Sequence, residues 1–446
     1  MKIMPLIRCL LFLLVNLQIL PSMGEAGAAQ AAYEKHPVLQ ASQVLPKGMQ
    51  EQGELYKIDP EVPTDGFLMT FTVHSDFGVF TARTPETLEM LLVEIGALEQ
   101  LKHVSQSDAF VEGFKDSSKQ FGRQIKDLVT EPVETVKGIP AGVGSFFSRM
   151  AQGAKTGYQK LQDIQDENNQ VAPPQPKGLG GSLPGKTDII AEDKRGMSIE
   201  EASLQMTGQV TANAFGYEDQ RRRIAREVRV DPYTTNPVLT EKLNHIAGAA
   251  FVGGLGISVF KAVAPVSMVL STSTLLSDWV WDTTPGALKL QNEAALLAMG
   301  VTQDEIDHLL RHRFYTLTLQ TKLVKALERL KNIEDRPQIM PVALSVESFD
   351  QARFVVSAME MLAKYHETVA PLASLVEKVA FAAQTQTGLL VLAGPVDYLG
   401  WTQPLDRFIS RPDLEQANRV ILLRGTATPL AQAELAKKHW QLRSEF

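Results

Sequence analysis

Cysteine is all but missing from this chain: Cys9 is the sole one in 446 residues. It stands inside an N-terminal stretch that reads as a secretory signal peptide, so the exported protein is expected to carry no thiol. That excludes a disulfide, a cysteine nucleophile and a thiolate metal site. It also excludes a lipoprotein signal, which needs a cysteine at the cleavage point. Positive charge is not in excess either. The 44 Lys and Arg against 51 Asp and Glu leave a net charge of −7, which argues against a general nucleic-acid binder, whose phosphate contacts need a basic surface. No G-x-S-x-G occurs, which weakens an α/β-hydrolase reading, and no H-E-x-x-H marks a zinc site.

The first thirty residues say where the chain goes. Lys2 and Arg8 supply a short positive region, and Cys9 to Leu20 form an apolar run broken only by Asn16 and Gln18. Pro21, Gly24 and the small-residue triplets Ala26-Gly27-Ala28 and Ala29-Gln30-Ala31 follow. This is the layout of a signal peptide over residues 1–28, with an apolar core too short to span a bilayer. The expected destination is the periplasm, the envelope or the medium. With 44% hydrophobic and 21% charged residues, the rest has the composition of a soluble globular protein long enough for two or three cores.

Periodicity divides the exported chain into an extended arm over residues 29–63, a hairpin-helix module over 64–151, a linker over 152–195, a helical module over 196–385 and a C-terminal α/β cap over 386–446. In the first module Phe67, Met69, Phe71 and Val73 alternate with Leu68, Thr70, Thr72 and His74, the period of a strand. Ser75-Asp76-Phe77-Gly78 then predicts a hairpin loop of three to five residues. Thr84-Pro85 opens a helix, and Leu88, Leu91, Leu92, Ile95, Leu98 and Leu101 mark its buried face. An amphipathic stretch continues through Phe110, Phe114, Phe121, Ile125 and Leu128. In the linker, half of Val171 to Lys186 is Pro or Gly, too little apolar surface to offset the cost of ordering. Helix starts are predicted at the capping boxes Ser198–Glu201 and Thr302–Glu305, at Asn236-Pro237 and at Ser348 with Gln351. Leu389–Leu392 and Val420–Leu423 read as short buried strands, and Thr428-Pro429 caps a last helix over Leu430 to His439. The fold class is therefore mainly α with small β elements, an α+β chain.

Several of these segments together resemble an uncharacterised family of exported bacterial proteins. They are VHSDFGVF with the LVEIGALEQL helix, LVTEPVETVKGIPAGVG, VRVDPYTTNPVL, VDYLGW and the terminal GTATPLAQAELAKKHW. The likeness covers most of Thr64 to Trp440 apart from the linker. That family has no assigned activity, so the resemblance implies export and carries over no functional residue.

The motifs that could carry chemistry are thin. Gly180 to Thr187 satisfies the P-loop pattern, yet neither the strand before it nor the helix after it is present, so no nucleotide is expected. Ser258-Val-Phe-Lys261 matches S-x-x-K, but Lys155-Thr156-Gly157 precedes the serine and S-D-N is missing. Asp304, His308 and His312 stand at helical spacing, where two histidines can hold zinc. Arg311 and Arg313 beside them oppose a cation, and a solvated helix face is the plainer reading. His366-Glu367 and His74-Ser75-Asp76 are isolated polar groups. Asp397, Tyr398 and Trp401 follow a buried strand, either lining a pocket or forming a turn with packed aromatics; the turn is favoured. No cofactor or metal is implied.

Two neighbouring features stand out. Ile246 to Leu276 is apolar except for Lys261, with Gly248, Gly253, Gly254 and Gly256 giving it the small-residue character of closely packed helices. Lys261 and Pro265 divide it into halves of about 22 Å, short of the roughly 30 Å hydrocarbon core. A buried central helix or helical hairpin competes with membrane insertion. Upstream, Arg221, Arg222, Arg223, Arg226 and Arg229 crowd one short helix, with Arg222, Arg226 and Arg229 on one face. A solvated, salt-bridged face competes with contact to an anionic partner such as lipid head groups. The functional expectation is a non-catalytic exported envelope protein that associates with membrane or an anionic envelope component. The alternatives are an extracytoplasmic hydrolase, with a cleft between helical module and C-terminal cap and with Asp397 and His366 as polar groups, and a soluble secreted interaction scaffold.

Overall fold

The computed structural model describes residues 33–106, 145, 147–148, 216–253, 279–376, 379 and 381–446. The chain divides into two compact units, Met1–Tyr33 and Glu34–Phe446, and the described strands and helices all belong to the second. The fold is mixed α+β.

At the N-terminal end of this unit, β1 (Val38–Gln40) pairs antiparallel with β3 (Glu61–Pro63), and β2 (Lys57–Ile58) pairs with β4 (Phe71–Ser75). Residues expected to form an extended arm are thus part of the folded body: Ile58 and Val62 are buried with Phe71, Val73, Leu88 and Leu92 in one core. The expected hairpin joins β4 to β5 (Gly78–Ala82), but Phe67 to Met69 precede the strand as a buried turn. Its loop is two residues, Asp76 and Phe77, shorter than the three to five expected. Gly78 makes this possible by taking φ +123°, open to glycine alone without strain, while Ser75 Oγ accepts from the Phe77 amide and donates to the Gly78 carbonyl.

The helix Pro85–Gln106 starts where Thr84 and Pro85 place it: Thr84 Oγ1 accepts from the Thr87 amide at 3.0 Å. Its first half packs on the hairpin. Its second half, through Leu98, Leu101 and Val104, joins Ile224, Val228, Leu239, Leu243 and Ile246 in a second core. That core is built by the helix over residues 216–227 and by the helix Pro237–Gly253.

The C-terminal region is a five-stranded sheet in the order β12-β10-β8-β7-β6. The strands are β6 (Leu372–Leu375), β7 (Ala382–Thr385), β8 (Leu390–Gly394), β10 (Arg419–Leu423) and β12 (Trp440–Arg443). β8, β10 and β12 are parallel, joined by crossovers that contain the helices Gln403–Ile409 and Pro429–Lys437. β6 and β7 add on antiparallel. The sheet therefore begins at Leu372, inside the stretch expected to be helical, and ends in a strand after the last helix, which is shorter than Leu430 to His439. The two predicted strands are its centre, and every residue of both is buried. The helix Phe349–Thr368 covers β8 and packs on the helix Leu317–Arg329. Phe147, Phe354, Phe381 and Phe408 fill the space between, edge to face at 5.2–5.9 Å, while Phe67 stacks on Phe147 at 4.7 Å.

The capping predictions at Asn236, Thr302, Ser348 and Thr428 are all met by side-chain hydrogen bonds. The linker, Ser198–Glu201, the P-loop match, the S-x-x-K match, the stretch from Phe110 to Leu128, and Gly254, Gly256 and Lys261 lie outside the described residues. Gly253 is the last residue of its helix.

Candidate functional site

Two places concentrate polar groups that the core cannot explain away. The first is at the carboxyl ends of the parallel strands, the end where open α/β sheets place their ligands. Here β8 runs on through Val396 to Asp397 and into β9 (Tyr398–Leu399), which pairs with β11 (Thr426–Ala427) just after β10. Gly425 lets the two connections meet: a Cβ there would fall 1.9 Å from the Asp397 carbonyl oxygen. The Gly425 amide donates to Val396 and the Thr426 amide to Asp397, so Asp397 is fastened to the sheet.

Above it lies the chain's own N-terminal segment. The Asp397 and Tyr398 amides donate to the Phe67 carbonyl at 3.0 and 3.3 Å, and the Gly400 amide donates to Gly66 at 2.9 Å. Glu34 closes the far side, accepting from the Trp401 amide and the Thr428 hydroxyl through Oε2. Glu34, Gly66, Phe67 and Met69 thus cover this end of the parallel strands.

Asp397 itself is 4% exposed. The Met69 amide donates to its carboxyl, and the second oxygen, Oδ2, has no hydrogen-bond partner. Burial pushes its pKa up to about 7, with help from Glu86 and Asp65; Arg424 and the Met69 amide pull the other way. Arg424 is already committed to Glu86 at 2.8 Å. Trp401 is buried in the turn with its indole N–H unpartnered. Of the turn that the sequence favours, Asp397 lies in a bend and Trp401 is packed, but Tyr398 belongs to the short strand β9.

His366 does not join this acid. Its Nδ1 accepts from the Leu372 amide at the start of β6. The register pairs Leu372 with Thr385 and Gln384 with Leu390, which puts His366 at the amino end of β8. The length of β8, about 13 Å, separates that end from Asp397. Glu367 beside it is held by the Arg329 guanidinium. The two polar groups named for the hydrolase alternative, Asp397 and His366, thus stand at opposite ends of β8.

The zinc reading fares no better. His312 is buried just past the end of the helix Gln303–Arg311, with Nε2 donating to the Leu344 carbonyl and Nδ1 accepting from the Phe314 amide. Both ring nitrogens are used, and burial holds its pKa down to about 4. No group of three or more metal-ligating side chains occurs among the described residues. A cavity of about 20 Å³ lined by Phe147, Phe381, Leu392, Val396, Phe408 and Ile421 is apolar and too small for anything beyond a water-sized guest.

The second place is the arginine-rich helix over 216–227. Arg222 is buried, donating to the Trp281 carbonyl at 2.8 Å and paired with Asp219 at 3.1 Å. The shared exposed face expected of Arg222, Arg226 and Arg229 does not form, because Arg222 points into a neighbouring segment that sequence spacing cannot reveal. Arg221 is likewise engaged, with the Pro232 carbonyl and Glu218. Arg226 pairs with Asp282 at 2.5 Å, and the Trp281 indole donates to the Val230 carbonyl. These contacts tie Trp281 and Asp282, a few residues beyond the apolar stretch, to the basic helix. The stretch's own first residues, Ile246, Ala247, Ala249 and Ala250, are buried in the second core, as a buried central helix requires.

Arg223 and Arg229 remain outward, Arg223 paired with Asp219. Arg229 has φ +58°, and the bonds Val230 N to Ala225 O and Arg229 N to Arg226 O close the helix in a Schellman motif. Glycine is the residue that such a position favours. Nearby in sequence, the helix Pro285–Ala298 buries Leu288 and Leu296 but exposes Leu290 (67%) and Leu297 (47%), one apolar stripe with Ala294. Among the described residues no helix is long and apolar enough to cross a membrane. Sequence reasoning missed Arg424, Glu86 and Glu94, whose partners lie far away in the chain, and Leu290 and Leu297, whose exposure depends on which face of the helix packs. No family model, no curated protein and no solved structure matches this chain.

Proposed function

We propose that this chain is a non-catalytic exported envelope protein that associates with membrane or another anionic envelope component. The association would run through the apolar stretch Ile246–Leu276, beyond the residues at its start that are buried in the core, and through the surface beside it. The observation that carries the reading is Arg229: an exposed arginine occupies a left-handed helix-ending position where glycine is cheaper by about 1 kcal/mol. The outward Leu290 and Leu297, with exposed Lys289 immediately before Leu290, add an apolar contact next to a cation, the combination that suits an anionic lipid surface. Arg222 and Arg226 take a different part from the one their spacing suggested, holding Trp281 and Asp282 where the chain returns from the stretch. The signal-like N-terminus and the resemblance to exported bacterial proteins support export.

The test is co-sedimentation with vesicles of phosphatidylglycerol and phosphatidylethanolamine. Arg229→Glu combined with Leu290→Asp should lower the bound fraction several-fold while leaving the circular dichroism spectrum unchanged. Unchanged binding would overturn the surface reading. An alkaline carbonate wash of host membranes separates insertion, in which the protein stays in the pellet, from peripheral contact, in which it is released. The hydrolase alternative retains one favourable observation, the unpartnered Asp397 carboxyl oxygen. Turnover of an ester, amide or glycoside that is lost in folded Asp397→Ala would favour it.

A further inference from the structure

The N-terminal segment and the strand ends form an interface whose only buried titratable group without full hydrogen bonding, among the groups described there, is Asp397. On the sheet side nothing can yield, because Gly425 and Thr426 lock its backbone to β10 and β11. On the other side the turn Thr64–Met69 is held by the carbonyls of Gly66 and Phe67 and by the Met69 amide, which donates to Asp397.

We propose that Asp397 is a pH-sensitive latch: protonated, it lets the turn Thr64–Met69 close over the carboxyl ends of the parallel strands; ionised, it opens that contact before the rest of the body. The charges that face it come from every neighbouring element. Glu86 stands in the first turn of the helix Pro85–Gln106, Asp65 in the turn itself, Arg424 at the end of β10, and Glu360 faces Arg424 from the helix Phe349–Thr368. Arg83 is bound to Asp65 at 2.5 Å and stands near Asp350, and Glu34 is bound to Trp401 and Thr428. Among the described residues Arg424, already paired with Glu86, is the cation whose charge acts on Asp397, against two carboxylates and deep burial. An ionised Asp397 holds one hydrogen bond, from the Met69 amide, and keeps a buried oxygen without a protein partner, a condition that opening the turn relieves by admitting water. What opens is the place where a parallel sheet receives ligands.

The experiment is amide hydrogen exchange on the full exported chain at about pH 5.5 and about pH 8.5, corrected for intrinsic rates. Protection at Asp397, Tyr398 and Gly400 should fall about thirtyfold across that range, while protection in β10 holds. In Asp397→Asn, a neutral side chain of the same shape, the pH dependence should vanish. The same fall in Asp397→Asn, or an equal fall in β10, would overturn the latch. Should that variant fail to fold, carboxyl carbon NMR of the unmodified protein decides: Asp397 titrating near neutrality sustains the proposal, and titration at the ordinary aspartate position sinks it.

Discussion

Two acids in this molecule have opposite surroundings. Glu94, on the helix Pro85–Gln106, is half-buried, and the desolvation there pushes its pKa up. Yet the Thr234 hydroxyl and the Asn236 amide donate to its two oxygens, and the Arg353 charge lies nearby. Asp397 is more deeply buried, with one amide donor and one oxygen left without a partner. Around Glu94 the donors come from the turn that starts the helix Pro237–Gly253, so the acid doubles as the anchor of that helix. Around Asp397 the donor comes from a turn laid across the strand ends. A carboxyl with donors on both oxygens is a fastener; with donors on one, its hold depends on its proton.

The sharpest way to break that comparison is Asp397→Asn. The folded pKa of about 7 lies above the unsubstituted 3.8, so between those values the folded state binds the extra proton and stability falls as pH rises. Above about pH 7 the loss reaches as much as about 4 kcal/mol, less whatever local opening relieves. The variant should therefore be more stable than its parent in urea at about pH 8 and no more stable at about pH 4. Equal midpoints at both would remove the distinction between the two acids.

His312 tests whether full hydrogen bonding alone silences a buried group. Its two nitrogens are satisfied, yet its pKa of about 4 lies below the ordinary 6.5. Here the unfolded chain binds the extra proton, so this contribution is present above about pH 6.5 and is lost as pH falls towards 4, to the extent of about 3 kcal/mol. His312→Gln should flatten that acid limb of a urea series while leaving the neutral limb, where Asp397 acts, with its slope unchanged.

Asn236→Ala attacks the fastener. It removes the Asn236 oxygen that accepts from Val238 and Leu239 and the amide donor to Glu94. A lost cap and a lost bond to a half-buried carboxylate should together cost about 2–3 kcal/mol. The urea midpoint should fall at every pH, whereas Asp397→Asn acts at one end of the scale.

How much of the fold and the site is legible in the sequence divides along a physical line. Asn236 is readable as a cap, because a capping side chain reaches only two or three residues along its own chain. Its second role is not, since Glu94 is 142 positions away and no spacing connects them. The central strands β8 and β10 announce themselves as unbroken apolar runs, as strands buried on both faces must. β7 does not: Ala-Ala-Gln-Thr has no alternation and Thr385 as its single β-branched residue, and it is a strand because β8 offers it an edge. Arg222, Arg226 and Arg229 are unusual, as their clustering suggests, but they do not share one exposed face. A helical wheel gives the angle of each side chain and nothing about Trp281, which takes the first of them inward.

The smallest effect concerns Arg229 and separates stability from surface function. At φ +58° its side chain strains the end of the helix over 216–227, while Ala225 and Val230 supply the buried contact that accompanies this kind of ending. Arg229→Gly should relieve the strain and raise the urea midpoint by the equivalent of up to about 1 kcal/mol, discounted for the freedom glycine gives the unfolded chain. The same change deletes an outward charge, so binding to phosphatidylglycerol vesicles should fall as stability rises. A variant that is both more stable and fully competent to bind would mean the arginine is not there for an anionic surface. A more stable protein with weakened binding is the pattern of a residue retained for contact at the expense of the fold.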